Sequence, residues 1–185
     1  MSGPIRIKTP LSEEAARKLR AGDSVLITGA IYTARDAAHK RMTESLARGE
    51  KLPVDLHDQI IYYVGPSPAK PGQPIGSAGP TTSGRMDAYT PRMLAEGLRG
   101  MIGKGYRSAE VVEAMKEHGA VYFAATGGAA ALIAKTVKGY EVVSYPELGA
   151  EAFAKMTVED FPAIVVIDSE GRNYYEEGQK QYRRL

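Results

Sequence analysis

The amino-acid sequence predicts a mixed α/β fold, a layered domain in which strands and helices alternate. Short apolar runs typical of buried strands recur along the chain, at Ser24–Thr28, Ala120–Ala124 and Ala163–Asp168. Segments with helix-capping signals lie between them. This alternation favours α/β or α+β layering but does not define a strand order. The length of 185 residues predicts one domain over residues 1–185.

The first third of the chain contains two capped helices in this interpretation. Ser12 is expected to cap Glu13–Arg20, whose acidic residues precede its basic ones, as the helix dipole prefers. Ala34–Arg48 is predicted as the second helix, with Thr33 as its N-cap and Gly49 as its stop. Short strands are predicted at Ile5–Lys8 and Asp58–Val64.

The remaining elements follow from similar signals. Pro91 favours a short helix at Arg92–Leu98, and Gly100–Gly105 is too rich in glycine for a helix interior. Ser108 is expected to cap Ala109–His118, which Gly119 ends. The later predictions are a helix at Ala129–Lys135 after Thr126–Gly128, a strand at Tyr140–Tyr145, a capping-box spacing at Thr157–Asp160 and a turn at Ser169–Gly171.

Composition excludes several classes of function. The net charge is only +2, which does not favour nucleic-acid binding, and the small basic segment Lys180–Arg184 is interpreted as a solvated terminus. No apolar run approaches the length that crosses a bilayer. The absence of cysteine excludes disulfides and a thiolate-bound metal made by this chain alone. We therefore expect a soluble, cytoplasmic protein without a metal site of its own.

A long loop, Gly65–Asp87, is the most unusual stretch of the sequence. It contains five of the 11 prolines and five of the 20 glycines. Loops of this length are usually functional or disordered. Its low charge and its apolar residues Ile75 and Met86 favour function, with disorder as the alternative.

Several side chains suit a small anionic ligand. Arg35, at the predicted start of a helix, could grip a carboxylate, with Asp36 and His39 as possible neighbours. A lone histidine such as His39 is, however, more often a packing residue. In the loop, Thr81, Thr82 and Ser83 offer hydroxyl groups and Arg85 a second cation, although such hydroxyls also satisfy turns. Lys104 lies between two glycines and could reach a cleft or remain an exposed turn residue.

Five motifs carry a family resemblance: Tyr32–His39, Tyr63–Pro66, Gly76–Ser83 followed by Arg85–Asp87, Gly103–Gly105 and Ala124–Ala131. Together they resemble the beta subunit, or C-terminal domain, of the iron–sulfur hydro-lyases, which include class I fumarate hydratase and L-tartrate dehydratase. The string GSAGPTTSxRMD is highly specific, whereas the alanine-rich motif is weak alone. The resemblance extends from Leu11 to Tyr175.

The resemblance implies a swivelling β/β/α domain that serves the reversible hydration of fumarate to malate. It also implies a 4Fe–4S cluster, bound through three cysteines of an alpha subunit, with one iron acting as a Lewis acid. The expected assembly is a hetero-oligomer of α2β2 type, in which this chain alone is inactive.

Carried over to this sequence, the family's catalytic threonine falls on Thr81. Its substrate-binding residues fall on Arg35, Thr82, Arg85 and Lys104. Fumarate hydratase is favoured, with L-tartrate dehydratase as the alternative. Two further hypotheses are a dicarboxylate-binding module without catalysis and a purely structural subunit.

Overall fold

The computed structural model describes residues 3–125 and 130–182, without the side chains of 181 and 182. The strands of this described part are β1 (Ile5–Lys8), β2 (Ser24–Thr33), β3 (Ile60–Tyr62), β4 (Gly100–Gly103), β5 (Val121–Ala125), β6 (Val137–Ser144) and β7 (Phe153–Ile167). Its α-helices are α1 (Glu13–Lys18), α2 (Asp36–Ala47), α3 (Thr90–Ala95), α4 (Ala109–His118), α5 (Ala130–Thr136) and α6 (Tyr174–Tyr182). Two 3₁₀ helices, Ser83–Met86 and Pro146–Glu151, complete the set. The mixed α/β class is confirmed.

All seven strands belong to one sheet with the order β1-β2-β3-β4-β5-β7-β6. Strands β1 to β5 run parallel, and β7 runs antiparallel to β5, β2 and β6. Because β7 pairs with both β5 and β2, the pairings close a ring through β2, β3, β4, β5 and β7. Helices α2, α3 and α4 lie on the crossovers between successive parallel strands, as parallel pairing requires.

The core consists of two apolar clusters that share the strands. Ile60 and Tyr62 enter the first cluster, whereas Ile61 and Tyr63 enter the second. This division follows from the alternation of side chains along a strand. The first cluster collects residues from all five strands of the ring. The second includes buried residues of α2, α3 and α4, so it fills the space between the sheet and these helices.

The predicted caps of α1 and α4 are confirmed. The Ser12 hydroxyl accepts from the Ala15 amide at 3.2 Å, and the Ser108 hydroxyl accepts from the Val111 amide at 3.3 Å. Gly119 ends α4 with φ of 66°, a conformation that favours glycine. These signals are local, which explains why they can be recognised without the rest of the fold.

Two predictions about helix starts are wrong. Strand β2 continues through Thr33, because β3 and β7 pair with it on either side, so Arg35 instead of Thr33 takes the N-cap position of α2. The capping-box spacing at Thr157–Asp160 lies inside β7, where Thr157 is paired with residues of β2 and β6. In both places tertiary strand pairing overrides a local helix signal.

Other parts of the chain add elements or fall outside the described residues. The glycine-rich segment at Gly100–Gly103 is a buried strand, and α6 was not predicted. Lys180 belongs to α6, whereas the predicted motif Thr126–Gly128 and residues 183–185 lie outside the described residues. No helix in the described part is long and apolar enough to cross a membrane.

Candidate functional site

The candidate residues gather where parallel strands end. Arg35 follows β2, Tyr63 follows β3, and Lys104 follows β4. Because these three strands are parallel and adjacent, their carboxyl ends meet at one edge of the sheet. Crevices outside the carboxyl ends of parallel strands are common ligand sites in α/β proteins.

The long loop returns to this same edge. The Thr81 amide donates to the Tyr63 carbonyl at 2.7 Å, and the Ser83 amide donates to the Lys104 carbonyl at 2.9 Å. Thr82 forms a parallel bridge with Lys104. Residues 81–83 therefore extend the sheet between the ends of β3 and β4, which places both threonines beside Lys104.

The earlier part of the loop folds back on itself. The Ser67 amide donates to the Ser77 carbonyl at 3.0 Å, and the Gly76 amide donates to the Ser67 carbonyl at 2.9 Å. Ile75 and Ala78 are buried in the first core cluster. Apolar anchoring and internal hydrogen bonds thus hold the loop, in line with the ordered interpretation of its sequence.

Arg85 joins the Arg35 side of the site through an acid. Its Nη2 donates to Asp36 Oδ2 at 2.7 Å, and Asp36 Oδ1 lies 4.0 Å from Arg35 Nε. Burial raises the pKa of Asp36, but hydrogen bonds from its own amide and from Arg85 outweigh it and hold that pKa below its ordinary value. Asp36 is therefore ionised at neutral pH and orients Arg85.

A second acid, Glu151, lies against Arg35. Its Oε1 is 3.3 Å from Arg35 Nε. Lys104 is exposed and has no ion pair among the residues that the structure describes. The cluster thus contains three cations, Arg35, Arg85 and Lys104, against two carboxylates, and keeps an excess positive charge that suits an anion.

His39 lies beneath this cluster and not within it. Its ring is fully buried near Tyr63 and Tyr89, with centroid distances of 5.4 and 6.3 Å. Nδ1 donates to the Arg35 carbonyl at 2.7 Å, since a carbonyl can only accept. Burial lowers the pKa of His39 to about 4. The geometry matches the packing alternative for this histidine.

A buried ion pair, which was not predicted from the sequence, holds the end of the loop. The side chain of Arg107 is 0% exposed; its Nε donates to Asp87 Oδ1 at 2.7 Å and its Nη2 to Thr90 Oγ1 at 2.8 Å. Asp87 Oδ2 in turn accepts from the Ser108 amide at 2.7 Å. Asp87 ends a recognised motif, but no spacing rule connects it with Arg107.

A second buried contact explains the glycines around Lys104. The Tyr122 hydroxyl lies 2.8 Å from Ser83 Oγ and donates to the Gly105 carbonyl at 2.9 Å. A Cβ at Gly103 would lie 1.9 Å from Ser83 Oγ, so only glycine leaves room for that hydroxyl. Gly105 adopts φ of 84°, which also favours glycine.

The candidate cations reach the surface of the chain: the side chains of Arg35 and Arg85 are 25% and 51% exposed, and Lys104 is exposed. A groove of about 600 Å³ lies at the other end of the loop. Its polar lining includes Ser67, Lys70, Ser77 and Lys135, and none of the five substrate or catalytic candidates. A small ligand at the candidate surface would therefore remain open to solvent on one side of this chain.

The chain's own residues do not fit an iron–sulfur cluster. The sequence contains no cysteine. Within residues 3–125 and 130–182, no group of three histidine or acidic residues is placed to hold a metal ion. A cluster that serves this surface would need ligands from another polypeptide or region.

Comparison with known proteins identifies the family. The model of the family described as "Fumarase C-terminus" matches residues 2–178. The chain belongs to the fumarase C-terminus family. This finding confirms the resemblance inferred from the motifs of the sequence.

Relatives of this fumarase C-terminus chain occur in two forms. It is 39% identical to the aerobic class I fumarate hydratase of Salmonella typhimurium over 95% of this chain and 31% of that protein. It is 43% identical to the aerobic class I fumarate hydratase of Escherichia coli K12 over 83% of this chain and 28% of that protein. A putative L(+)-tartrate dehydratase subunit beta of Methanocaldococcus jannaschii is 41% identical over 95% of this chain and 93% of that protein. The chain spans less than a third of these fumarate hydratases but nearly all of the subunit.

Proposed function

We propose that this chain is the beta subunit of a two-subunit class I fumarate hydratase, which interconverts fumarate and (S)-malate. The observation that carries the proposal is that one sheet edge holds both Arg35 and Arg85, joined through Asp36, and Lys104, paired with Thr82. Similarity to class I fumarate hydratases supports it. In this proposal residues 1–185 form one domain of the swivelling β/β/α type.

The three cations bind the two carboxylates of the substrate. Guanidinium groups bind carboxylates through paired N–H donors, and lysine adds a point charge. Removal of a proton from the carbon beside a carboxylate builds extra negative charge on that carboxylate. Fixed positive groups stabilise this charge, and the loss of one such contact typically costs roughly 3–4 kcal/mol in the transition state. Thr82 contributes a hydroxyl contact to the substrate.

Thr81 is the proposed base. After its own proton has passed to an activating neighbour, Oγ1 takes the proton from the malate carbon. The C–O bond at the adjacent carbon breaks as the double bond forms, and the leaving hydroxyl group takes the proton held by that neighbour, which gives fumarate and water. A threonine hydroxyl is a weak nucleophile and base at its free pKa, so it needs an activating neighbour. We assign this activating neighbour, an acidic residue, to the alpha subunit, which would cover the open side of the surface.

The 4Fe–4S cluster is assigned to the same alpha subunit, since this chain has no cysteine to hold it. When bound, such a cluster supplies a Lewis-acidic iron for the substrate hydroxyl. The proposed assembly is of α2β2 type. The beta chain contributes the substrate-binding cations and the base, so neither subunit is active alone.

L-tartrate dehydratase, which would convert tartrate to oxaloacetate, is the second candidate. It is favoured by the Methanocaldococcus jannaschii relative, because this chain covers 93% of that putative subunit beta. Both reactions remove water from a hydroxy-dicarboxylate, so the same cations and threonine serve either one. The substrate therefore has to be identified by assay.

The decisive experiment combines the chain with its cluster-bearing partner under anaerobic conditions. We expect a neighbouring gene to encode a polypeptide with three separated cysteines, and the purified pair to dehydrate malate or tartrate. The chain alone should show neither turnover nor iron–sulfur absorption after reconstitution. Dicarboxylate binding by the chain alone, with no activity on mixing, would instead support the non-catalytic binding module.

A further inference from the structure

An acid of this chain already lies on one of the proposed substrate arginines. Glu151 Oε1 is 3.3 Å from Arg35 Nε, and their side chains are 33% and 25% exposed, respectively. Arg35 Nε is nevertheless without a hydrogen-bond partner among the described residues. Glu151 thus supplies charge to this nitrogen without a well-directed hydrogen bond, a contact that a better-placed carboxylate can replace.

The other acid of the cluster is held more firmly. Asp36 is the first residue of α2 and accepts from Arg85 Nη2 at 2.7 Å. Its low pKa reflects hydrogen bonds from its own amide and from Arg85, which together exceed the opposing effect of burial. Asp36 therefore stays with Arg85, and of the two acids only Glu151 is a candidate for displacement.

The segment that carries Glu151 is held at its start, where Tyr145 and Leu148 pack against the second core cluster, but its outer surface is exposed. Glu151 is the last residue of the 3₁₀ helix Pro146–Glu151, in which no residue is buried. The residue before that helix, Tyr145, has φ of 59°, a left-handed conformation that is strained for residues other than glycine. The Glu151 side chain itself is 33% exposed, so it can turn away from Arg35 by rotation while the core contacts of the segment are kept.

The charges of the cluster give this movement a function. Arg35 and Arg85 face Glu151 and Asp36, so each arginine is already neutralised by an acid. A dicarboxylate adds two negative charges, and at Arg35 it competes most directly with Glu151, whose Oε1 lies nearer to Nε (3.3 Å) than Asp36 Oδ1 does (4.0 Å). On the basis of the proposed function, we propose that Glu151 occupies the carboxylate-binding face of Arg35 in the substrate-free chain and is displaced by the substrate. Glu151 then sets how tightly Arg35 binds a dicarboxylate.

The test is Glu151→Gln in the assembled enzyme, with malate as substrate. Glutamine keeps the size of the side chain but removes the competing charge. We expect KM to fall about threefold with kcat nearly unchanged, the scale of one partly exposed ion pair. The difference in KM should shrink as salt is raised, because salt screens exposed charges.

Glu147→Gln is the matched control. Glu147 lies on the same 3₁₀ helix, but its Oε1 pairs with Arg41 Nη2 at 3.1 Å, away from the candidate residues. This variant should leave KM unchanged at every salt concentration. An equal fall of KM in both variants would show a general charge effect and overturn the specific role of Glu151.

A KM that is unchanged or raised in Glu151→Gln also overturns the inference, since a raised KM means that Glu151 orients Arg35 for the substrate. Arg35→Ala separates this failure from failure of the proposed function. If Arg35→Ala lowers kcat/KM while Glu151→Gln does not lower KM, only the displacement is wrong. If Arg35→Ala has no effect, the carboxylate-binding role of Arg35 itself is wrong.

Discussion

Two arginine-centred regions, one buried and one at the surface, differ in how their charges are satisfied. In the buried region, Arg107 is fully buried, pairs with Asp87 and Thr90, and lies over the rings of Tyr63 and Tyr122. In the surface region, Arg35 is partly exposed and its Nε is without a hydrogen-bond partner within the described residues.

The difference indicates which charges stabilise the fold and which are available to a ligand. A buried arginine is tolerated only when its donors are paired, as those of Arg107 are. A partly exposed arginine with an unmet donor keeps binding capacity for an incoming carboxylate. We therefore expect substitutions in the buried region to act first on stability and those in the surface region to act first on turnover.

The largest expected effect on turnover is that of Thr81→Ala. Loss of a positioned base lowers kcat by about 100- to 10,000-fold. Because the Thr81 contact to Tyr63 is made by its backbone amide, alanine preserves it and the unfolding free energy should change little. Steady-state kinetics of the assembled enzyme and urea unfolding measure the two quantities. A kcat close to that of wild type would exclude Thr81 as the base.

Arg107→Ala should show the opposite behaviour. Removing one partner of a buried pair leaves Asp87 uncompensated and costs about 3–5 kcal/mol of the free energy of unfolding. The measurement is chemical unfolding, with the exposed Arg92→Ala as control, since the Arg92–Glu96 pair lies on the surface. If Arg107→Ala unfolds at the same denaturant concentration as Arg92→Ala, the contrast between the two regions does not hold.

Arg35→Ala and Arg85→Ala should each lower kcat/KM about a hundredfold, or roughly 3 kcal/mol, with little loss of stability. Both guanidinium groups are at least partly exposed, so their removal leaves no buried cavity. Kinetics with malate and thermal unfolding provide the comparison. Unchanged kcat/KM in both variants would rule out a dicarboxylate clamp.

The buried His39 should make the free energy of unfolding depend on pH. Its pKa is about 4 in the folded chain, below its ordinary value of 6.5, so folding favours the neutral ring. The stability associated with this group is complete above pH 6.5 and is lost as pH falls from 6.5 toward 4, by about 3 kcal/mol in total.

Urea unfolding between pH 7 and pH 4 tests this dependence. His39→Asn should remove that part of the acid sensitivity, whereas His57→Gln should keep it, because the side chain of His57 is 67% exposed. Equal acid sensitivity in wild type and His39→Asn would contradict the assignment.

Tyr122→Phe should have the smallest effect. Tyr122 connects the two regions, because its ring contacts Arg107 and its hydroxyl contacts Ser83. The substitution removes only the hydroxyl that contacts Ser83 and Gly105, the neighbours of Thr82 and Lys104. We expect about 1 kcal/mol lost from stability and a moderate fall in kcat with KM nearly constant. Ser83→Ala should lower kcat by a similar factor. The double variant should lower kcat little further, because both substitutions remove the same contact.

Local signals in the sequence determined several helix ends and the positions of the buried strands. The caps at Ser12 and Ser108, the stop at Gly119 and the buried apolar runs depend on neighbours a few residues apart, so they could be predicted without a fold. The string at Gly76–Asp87 was specific enough to indicate the family, and with it the five candidate residues at the sheet edge.

Tertiary structure decided what depends on residues distant in the chain. Thr33 and Thr157 look like helix-start residues, but strand pairing with β3, β6 and β7 places them in the sheet. No periodicity shows that Arg107 pairs with Asp87 or that Glu151 lies on Arg35. Such contacts depend on how the sheet brings distant segments together, and one charged residue in a sequence does not specify its partner.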